Sequence, residues 1–500
     1  MRHQHSQPPR GLRSGAFVAG VLALGLAVSV GRAQLMPEVG PQVRIDPGGG
    51  VQAANETTVS VSEANPLEII AGWNDWRESP GYEIINAGFS LSLDGGQTWT
   101  DFLIRPPVQY QSDVEGDPMT AFDPRTGTLW AGAISWGGPN CLYVARKAPG
   151  ASEFEPSVAA RTGGLDKCWM AAGPRPGMPD TTRLYIAFNE GVIWSDDMGE
   201  TFTYPQSLGS GIGFLPRVGP NGELYIAYWD FGSGMKLKRS LDGGDSFSTH
   251  TIATRMDVWG TQDGSRFPGQ FRVPSLVYID VDKRDGTLYA CYFDTTEIVE
   301  GNRNVDLYFT KSTDQGTTWT EPVVVNGDAD PPGDQFWCWI ECDKDGRLHM
   351  VYFDSRHTDQ DDNVEHGMFD AYYSYSIDGG ATWYEFRLTP ASWDSDNDGL
   401  NRYNQFIGDY LGLGIADNWA YPVYLDTTAG DPDIFTNVIK VPLWGDTNGD
   451  DEIDTEDLLD LLADWGDCGE PDGCGTDING DGVIDVTDLL ILLAEWTRST

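Results

Sequence analysis

Two periodicities divide the chain. Alternation of apolar and polar positions, as in Arg183-Leu-Tyr-Ile-Ala-Phe188, runs through its body and predicts short β-strands. Units such as Gly127-Thr-Leu-Trp130, Gly222-Glu-Leu-Tyr225, Asp285-Gly-Thr-Leu-Tyr289 and Asp345-Gly-Arg-Leu-His349 read as turns that enter a strand. The strand then ends on two side chains and an aspartate: Trp73-Asn-Asp75, Tyr228-Trp-Asp230, Tyr292-Phe-Asp294, Tyr352-Phe-Asp354, Tyr424-Leu-Asp426. Near the carboxyl end the spacing becomes helical. Leu458, Leu459, Leu461, Leu462 and Trp465, and then Leu489, Leu490, Leu492, Leu493 and Trp496, each predict a helix with one apolar face.

A second repeat keeps phase with these strands. Ser92-Leu-Asp-Gly-Gly-Gln-Thr-Trp99 recurs as Ser312-Thr-Asp-Gln-Gly-Thr-Thr-Trp319 and Ser376-Ile-Asp-Gly-Gly-Ala-Thr-Trp383, and more loosely from Ser195 to Phe202 and from Ser240 to Phe247. In such a hairpin the Asp carboxylate accepts N–H groups across the turn, Gly supplies a positive φ, and the ring packs over the loop. The pattern resembles the Asp-box, or bacterial neuraminidase repeat, of sialidases and other secreted β-propellers. The resemblance implies a mainly β fold of six or seven blades over residues 34–442. Seven are favoured, beginning near Thr57, Asp117, Lys167, Pro216, Arg272, Phe336 and Gly408. Six remain if the first and last segments share one sheet.

Composition narrows the partners. Gly 60, Pro 30 and 12% aromatics suit strands joined by tight turns, and 40% hydrophobic residues suffice for a core. A net charge of −44 excludes nucleic acid and anionic membrane, which need basic patches, and favours divalent cations. Arg2, Arg10 and Arg13, the apolar run Gly15 to Val30 and the small residues around Arg32 read as a signal peptide over 1–33. A secreted or cell-surface protein without a membrane span after cleavage is expected. Seven cysteines form no CxxC pair; Cys468 and Cys474 are close enough in sequence for a local disulfide, and the other five are odd in number.

Residues common to every blade serve the blade, so candidates are those that vary at the starts of the inner strands. These are Glu56, Asp117, Asp166 with Lys167, Arg217, Arg272, Trp337, and Asp409 with Tyr410. Carboxylates, cations and rings meeting at one channel mouth suit an extracellular glycan or glycoprotein. Phe271-Arg-Val-Pro-Ser-Leu276 is similar to the sialidase F-R-I-P motif, although it follows three Asp-boxes, where sialidases carry it before the first. The resemblance implies a glycoside hydrolase of the exo-sialidase kind. Arg272, Arg217 and Arg356 would grip an acidic sugar, Tyr410 or Tyr403 would be the nucleophile, and Asp117 the acid/base. Against it stands a non-catalytic glycan- or protein-binding propeller. Asp394-Ser-Asp-Asn-Asp398-Gly399 is similar to half a calcium loop, but Gln405 stands where a carboxylate would complete it.

Residues 446–500 carry the most specific pattern. Asp446, Asn448, Asp450, Asp454 and Asp457 occupy positions 1, 3, 5, 9 and 12 of a calcium loop, with the Glu452 carbonyl at position 7. Asp477, Asn479, Asp481, Asp485 and Asp488 repeat them, with the Val483 carbonyl. Alternating oxygens suit the hard Ca²⁺ ion, and Ile453 and Ile484 at position 8 are expected to pair the loops. One helix per loop and Asp at position 12 resemble a type I dockerin. The resemblance implies a cohesin-like partner on a scaffold or cell-surface protein, although Thr455-Glu456 and Val486-Thr487 depart from the familiar Ser-Thr pairs.

Overall fold

The computed structural model describes residues 36–47, 53–78, 84–163, 166–231, 234–254, 271–274, 276–299, 302–327, 333–357, 367–400, 406–450, 452–467, 475–478 and 482–499. Pro37–Val441 form one compact unit, and Pro442–Thr500 belong to a second. The expected signal peptide and the Cys468/Cys474 pair lie outside the described residues.

The larger unit is built of β-strands, with one 3-10 turn, Val108–Tyr110, among its described residues. It holds seven antiparallel sheets in chain order, with first strands Ala54–Ser62, Val114–Phe122, Trp169–Arg175, Ile212–Val218, Val277–Val281, Gln335–Cys342 and Gly412–Ala416. Each expected start falls within or just ahead of one of these. Successive strands are antiparallel neighbours within every sheet. The first strand of each sheet packs on that of the next, and the seventh on the first, so the sheets close a ring, consistent with propeller blades.

Closure comes from the N-terminal strand. Glu38–Arg44 pairs with Asp433–Lys440 as the outer strand of the seventh sheet. The first and last segments therefore do share a sheet, yet seven sheets remain, because the sharing completes the last sheet rather than merging two. The third sheet has three strands plus a bridge from Val192 to Gln206, and the sixth gains Trp393–Asp394.

Each S-x-D turn joins the third strand of its sheet to the outer edge. In the first sheet Ser92 Oγ donates to Asp94 (2.9 Å), Asp94 accepts the Thr98 N–H (2.8 Å), and Trp99 Nε1 donates to the Gly96 carbonyl (3.1 Å). The Ser–Asp and Asp–N–H bonds recur at Asp197, Asp242, Asp314 and Asp378. The N–H and hydroxyl of Thr318 hold the Asp314 carboxyl down to about 2. Two successive residues, not one, take positive φ in each turn, and at Met198 and Gln315 the first is not glycine.

The carbonyl of that first residue faces the preceding sheet. Trp130 Nε1 donates to Met198 O (2.9 Å), Arg183 to Gly243 O (2.7 Å), Arg239 to Gln315 O (3.0 Å) and Lys311 Nζ to Gly379 O (2.9 Å). The turns thus fasten sheet to sheet as well as strand to strand.

The smaller unit has helices α1 (Thr455–Ala463) and α2 (Val486–Ser499). Leu461 and Leu492 are buried with Ile453, Ile478 and Ile484, while Leu459, Leu462, Trp465, Leu490 and Leu493 are exposed. Each leucine run therefore spans two faces, one inward and one outward, instead of the single face expected. Ile453 and Ile484 share this core, but Ile484 pairs in strand register with Gly466, not with Ile453. Among the described residues no helix is long and apolar enough to cross a membrane.

Candidate functional site

One backbone feature positions the candidate residues. Near the start of the first strand, a residue with positive φ recurs in six sheets: Glu56, Asp117, Lys167, Gly213, Trp337 and Gly408. In the first, second, fourth and sixth sheets it coincides with a register shift, where a β-bulge re-aims a side chain. At Gly408 a Cβ would meet the Glu56 nitrogen at 2.9 Å, so glycine is required.

Glu56, Asp117, Lys167, Arg272 and Asp409 come together there as expected. Lys167 Nζ lies 3.1 Å from Glu56 Oε1 and also bonds Asp409 Oδ2. Arg272 donates through Nε to Asp409 Oδ1 (2.7 Å) and through Nη2 to its other oxygen, and stacks over Phe406. Asp117 Oδ2 accepts the Lys167 N–H at 2.7 Å. Asn74 completes the circuit: its Nδ2 donates to Glu56 (2.7 Å) and its Oδ1 accepts the Asp117 N–H (2.8 Å). Asn74 is a residue of this circuit that counting along the repeat does not reach. The signal was there, since Trp, Phe, Phe and Leu fill its place in the other strand-end triplets.

Burial sets the proton affinities. Glu56, 2% exposed, is pushed well up by burial despite Lys167. The half-buried Asp166 is raised to about 6 by burial and then by Asp117. Burial opposes the charge of Asp409, but Lys167 and Arg272 outweigh it and hold the carboxyl down. Burial likewise opposes Lys167 and Arg272, and Asp409 and Glu56 keep both charged. The cluster sets four carboxylates against two cations, and the bidentate fork of Arg272 is already filled.

The expected arginine triad does not form. Arg217 stands four residues beyond Gly213, toward the other end of the first strands, where it bonds Asp280 (3.1 Å) and Glu341 (2.6 Å) and lies over Trp339. Arg356 joins Asp354 to Glu385 within the sixth sheet, as Arg77 joins Asp75 to Asp101 in the first; a contact repeated between sheets is architecture. Tyr410 packs edge-on against Trp169, and among the described residues its hydroxyl has no hydrogen-bond partner. Burial, then Glu56 and Asp117, push its ionisation well up, the reverse of an activated nucleophile. Tyr403 lies outside the described residues. Trp337 is fully buried against Phe271, Phe336 and Phe353, so it offers no ring to a sugar. A surface cavity of about 420 Å³ lies elsewhere, between Phe102, Ile104 and Phe154 at the outer edge of the first two sheets.

The acidic loops are locally ordered. Asp446 Oδ1 accepts the Gly449 N–H (2.6 Å), Asn448 Oδ1 that of Asp450 (2.9 Å) and Asp450 Oδ1 that of Glu452 (3.0 Å). Asp457 accepts Thr447 N and Asp454 N, both at 2.7 Å, and caps α1. Asp488 and Asp485 repeat the last bond at 2.9 Å, and Asp477 accepts Gly482 N–H at 2.8 Å. Asn479 and Asp481 lie outside the described residues. The oxygen donors suit a hard cation, although among the described residues no three acidic, His or Cys side chains gather as a metal-holding group. In the Asp394–Gly399 stretch, Asp394 accepts Asp396 N–H, and Asp398 those of Leu400 and Phe406, so these carboxylates serve turns.

No family model matches the chain, and no curated protein matches it. Solved structures do. A protein of unknown function from Dyadobacter fermentans DSM 18053 is 15% identical with a TM-score of 0.46, covering 81% of this chain and 99% of its own. The Hadza microbial sialidase Hz136 is 17% identical (TM-score 0.40; 77% and 65%), and the intramolecular trans-sialidase from Ruminococcus gnavus 14% (0.39; 77% and 94%). Identities and TM-scores this low leave the activity to be argued from the residues.

Proposed function

We propose that the chain is a secreted, non-hydrolytic propeller of seven Asp-box-type blades, which binds extracellular glycan or glycoprotein. A dockerin-like module folded around Ca²⁺ at residues 446–500 would tether it to a cohesin-like domain. One observation carries the choice against hydrolysis: Asp409 fills the guanidinium fork of Arg272, and neither Arg217 nor Arg356 joins it. A sugar carboxylate would have to displace a buried carboxylate that also holds Lys167. The hydrolytic reading retains one favourable feature, Asp166, whose raised affinity would suit an acid/base near neutrality. Release of sugar from a fluorogenic sialoside, abolished in Arg272→Ala, would overturn the proposal; no turnover across a glycoside panel, with binding on a glycan array, is expected. For the smaller unit, EDTA is expected to remove the helical circular-dichroism signal of α1 and α2 and leave the β signal intact. An unchanged spectrum would count against metal-dependent folding.

A further inference from the structure

We infer that Cys291 and Cys338 are a disulfide-forming pair that joins the fifth sheet covalently to the sixth. Cys291 lies in the second strand of the fifth sheet, Leu288–Val299, and Cys338 in the first strand of the sixth, Gln335–Cys342. These strands pack on each other, and both side chains are fully buried. Register fixes the direction in which Cys291 faces. It stands opposite Phe309, so the two share a face of the sheet, and Phe309 meets Trp383 of the sixth sheet edge-on at 5.4 Å. Tyr278, opposite Cys291 on its other side, sets its ring 5.1 Å from that of Trp339, next to Cys338.

The two thiols are near neighbours: after burial, Cys338 is the group that most raises the proton affinity of Cys291. The remaining described cysteines are placed differently, each thiol turned to a backbone carbonyl: Cys141 to Leu142, Cys168 to Asp117, Cys342 to Asp343. Among the described residues, these are the two cysteines that neighbour one another across packed sheets.

The bond needs a disulfide-bearing oxidant, of the kind that an exported chain meets. One cysteine, as thiolate, attacks the oxidant to give a mixed disulfide; the second displaces the oxidant's remaining sulfur. Two protein thiols are oxidised, one S–S bond is reduced to two thiols, and the two protons pass to those leaving sulfurs. Burial pushes the Cys291 thiol well up, so closed sheets resist the reaction and the bond forms as the sheets come together.

The test is refolding of the full chain in oxidised and reduced glutathione, then alkylation in denaturant without reductant and peptide mapping. One joined pair of peptides, carrying Cys291 and Cys338 and lighter by two hydrogen atoms, is expected. The oxidised protein should melt several degrees above the dithiothreitol-treated one, and Cys338→Ser should erase that difference. Alkylation of both residues after oxidative refolding, or either one joined to Cys141, Cys168 or Cys342, overturns the inference. The mapping uses the unaltered chain, so it stands even if the serine variant misfolds.

Discussion

Gln315 holds a φ of 59° inside its turn, a conformation that costs a residue with a Cβ about 1–2 kcal/mol. Its backbone carbonyl, not its side chain, receives Arg239. Glycine at this place keeps the carbonyl and loses the strain, offset in part by its freer unfolded chain, so Gln315→Gly is expected to stabilise by about 0.5–1 kcal/mol in denaturant melts. A destabilised variant would mean that the turn does not need this φ. Asp433 makes the opposite kind of strain, electrostatic rather than steric. Burial and then Asp46 raise its carboxyl to about 7, and among the described residues its Oδ2 has no partner, although Arg44 bonds Oδ1. The folded chain therefore holds this proton more tightly than the unfolded chain, whose aspartate titrates near ~3.9. Stability should fall as pH rises through the window between these values, and Asp433→Asn should flatten the fall. Thermal midpoints at stepped pH decide it: equal slopes in both proteins would refute the assignment.

The S-x-D turns show what spacing reveals and what it hides. Ser, Asp, Gly and Trp lie within eight residues of one another, so their mutual bonds were legible from the sequence. The carbonyl that each turn offers to the preceding sheet was not, because its donor is remote: Trp130 and Met198 are 68 residues apart. Trp130→Phe keeps the ring and removes the N–H, leaving the half-buried Met198 carbonyl without this donor. A loss of about 1–3 kcal/mol is expected, read as a lowered denaturant midpoint; no change would deny the turn its role between sheets. The same blindness explains Arg217. Leu215-Pro216 looks like Val273-Pro274, but the positive-φ residue of the fourth sheet is Gly213, so Arg217 falls four places along the strand and away from Arg272. Glu56, Asp117, Lys167 and Trp337 carry no glycine to announce their backbone. Their place was found by counting along the repeat, and the fate of Trp337, buried among phenylalanines, by packing alone.

At the scale of the ring, two charge networks divide the work of closure. Arg217, Asp280 and Glu341 join the fourth, fifth and sixth sheets toward one end of the first strands. Glu56, Asn74, Asp117, Lys167 and Asp409 join the first, second, third and seventh toward the other, with Arg272 reaching in from the segment ahead of the fifth. A ring of sheets can part at any seam, so a cation on one sheet shared between carboxylates of two others couples their openings. Lys167 is the sharpest probe because it is buried and holds both Glu56 and Asp409. Lys167→Met keeps much of its volume yet leaves two buried carboxylates with a single cation, which costs about 3–5 kcal/mol when a buried pair is broken. Arg272, 37% exposed, is replaced at less cost, since Lys167 still neutralises Asp409 in Arg272→Ala. The loss in Lys167→Met should shrink on acidification, as Glu56, already biased toward its neutral form, takes up the proton that substitutes for the missing charge. Chemical denaturation of both variants at two pH values tests this. Equal losses, or a Lys167→Met loss that does not shrink in acid, would mean that the cluster lies between the first strands without holding the ring.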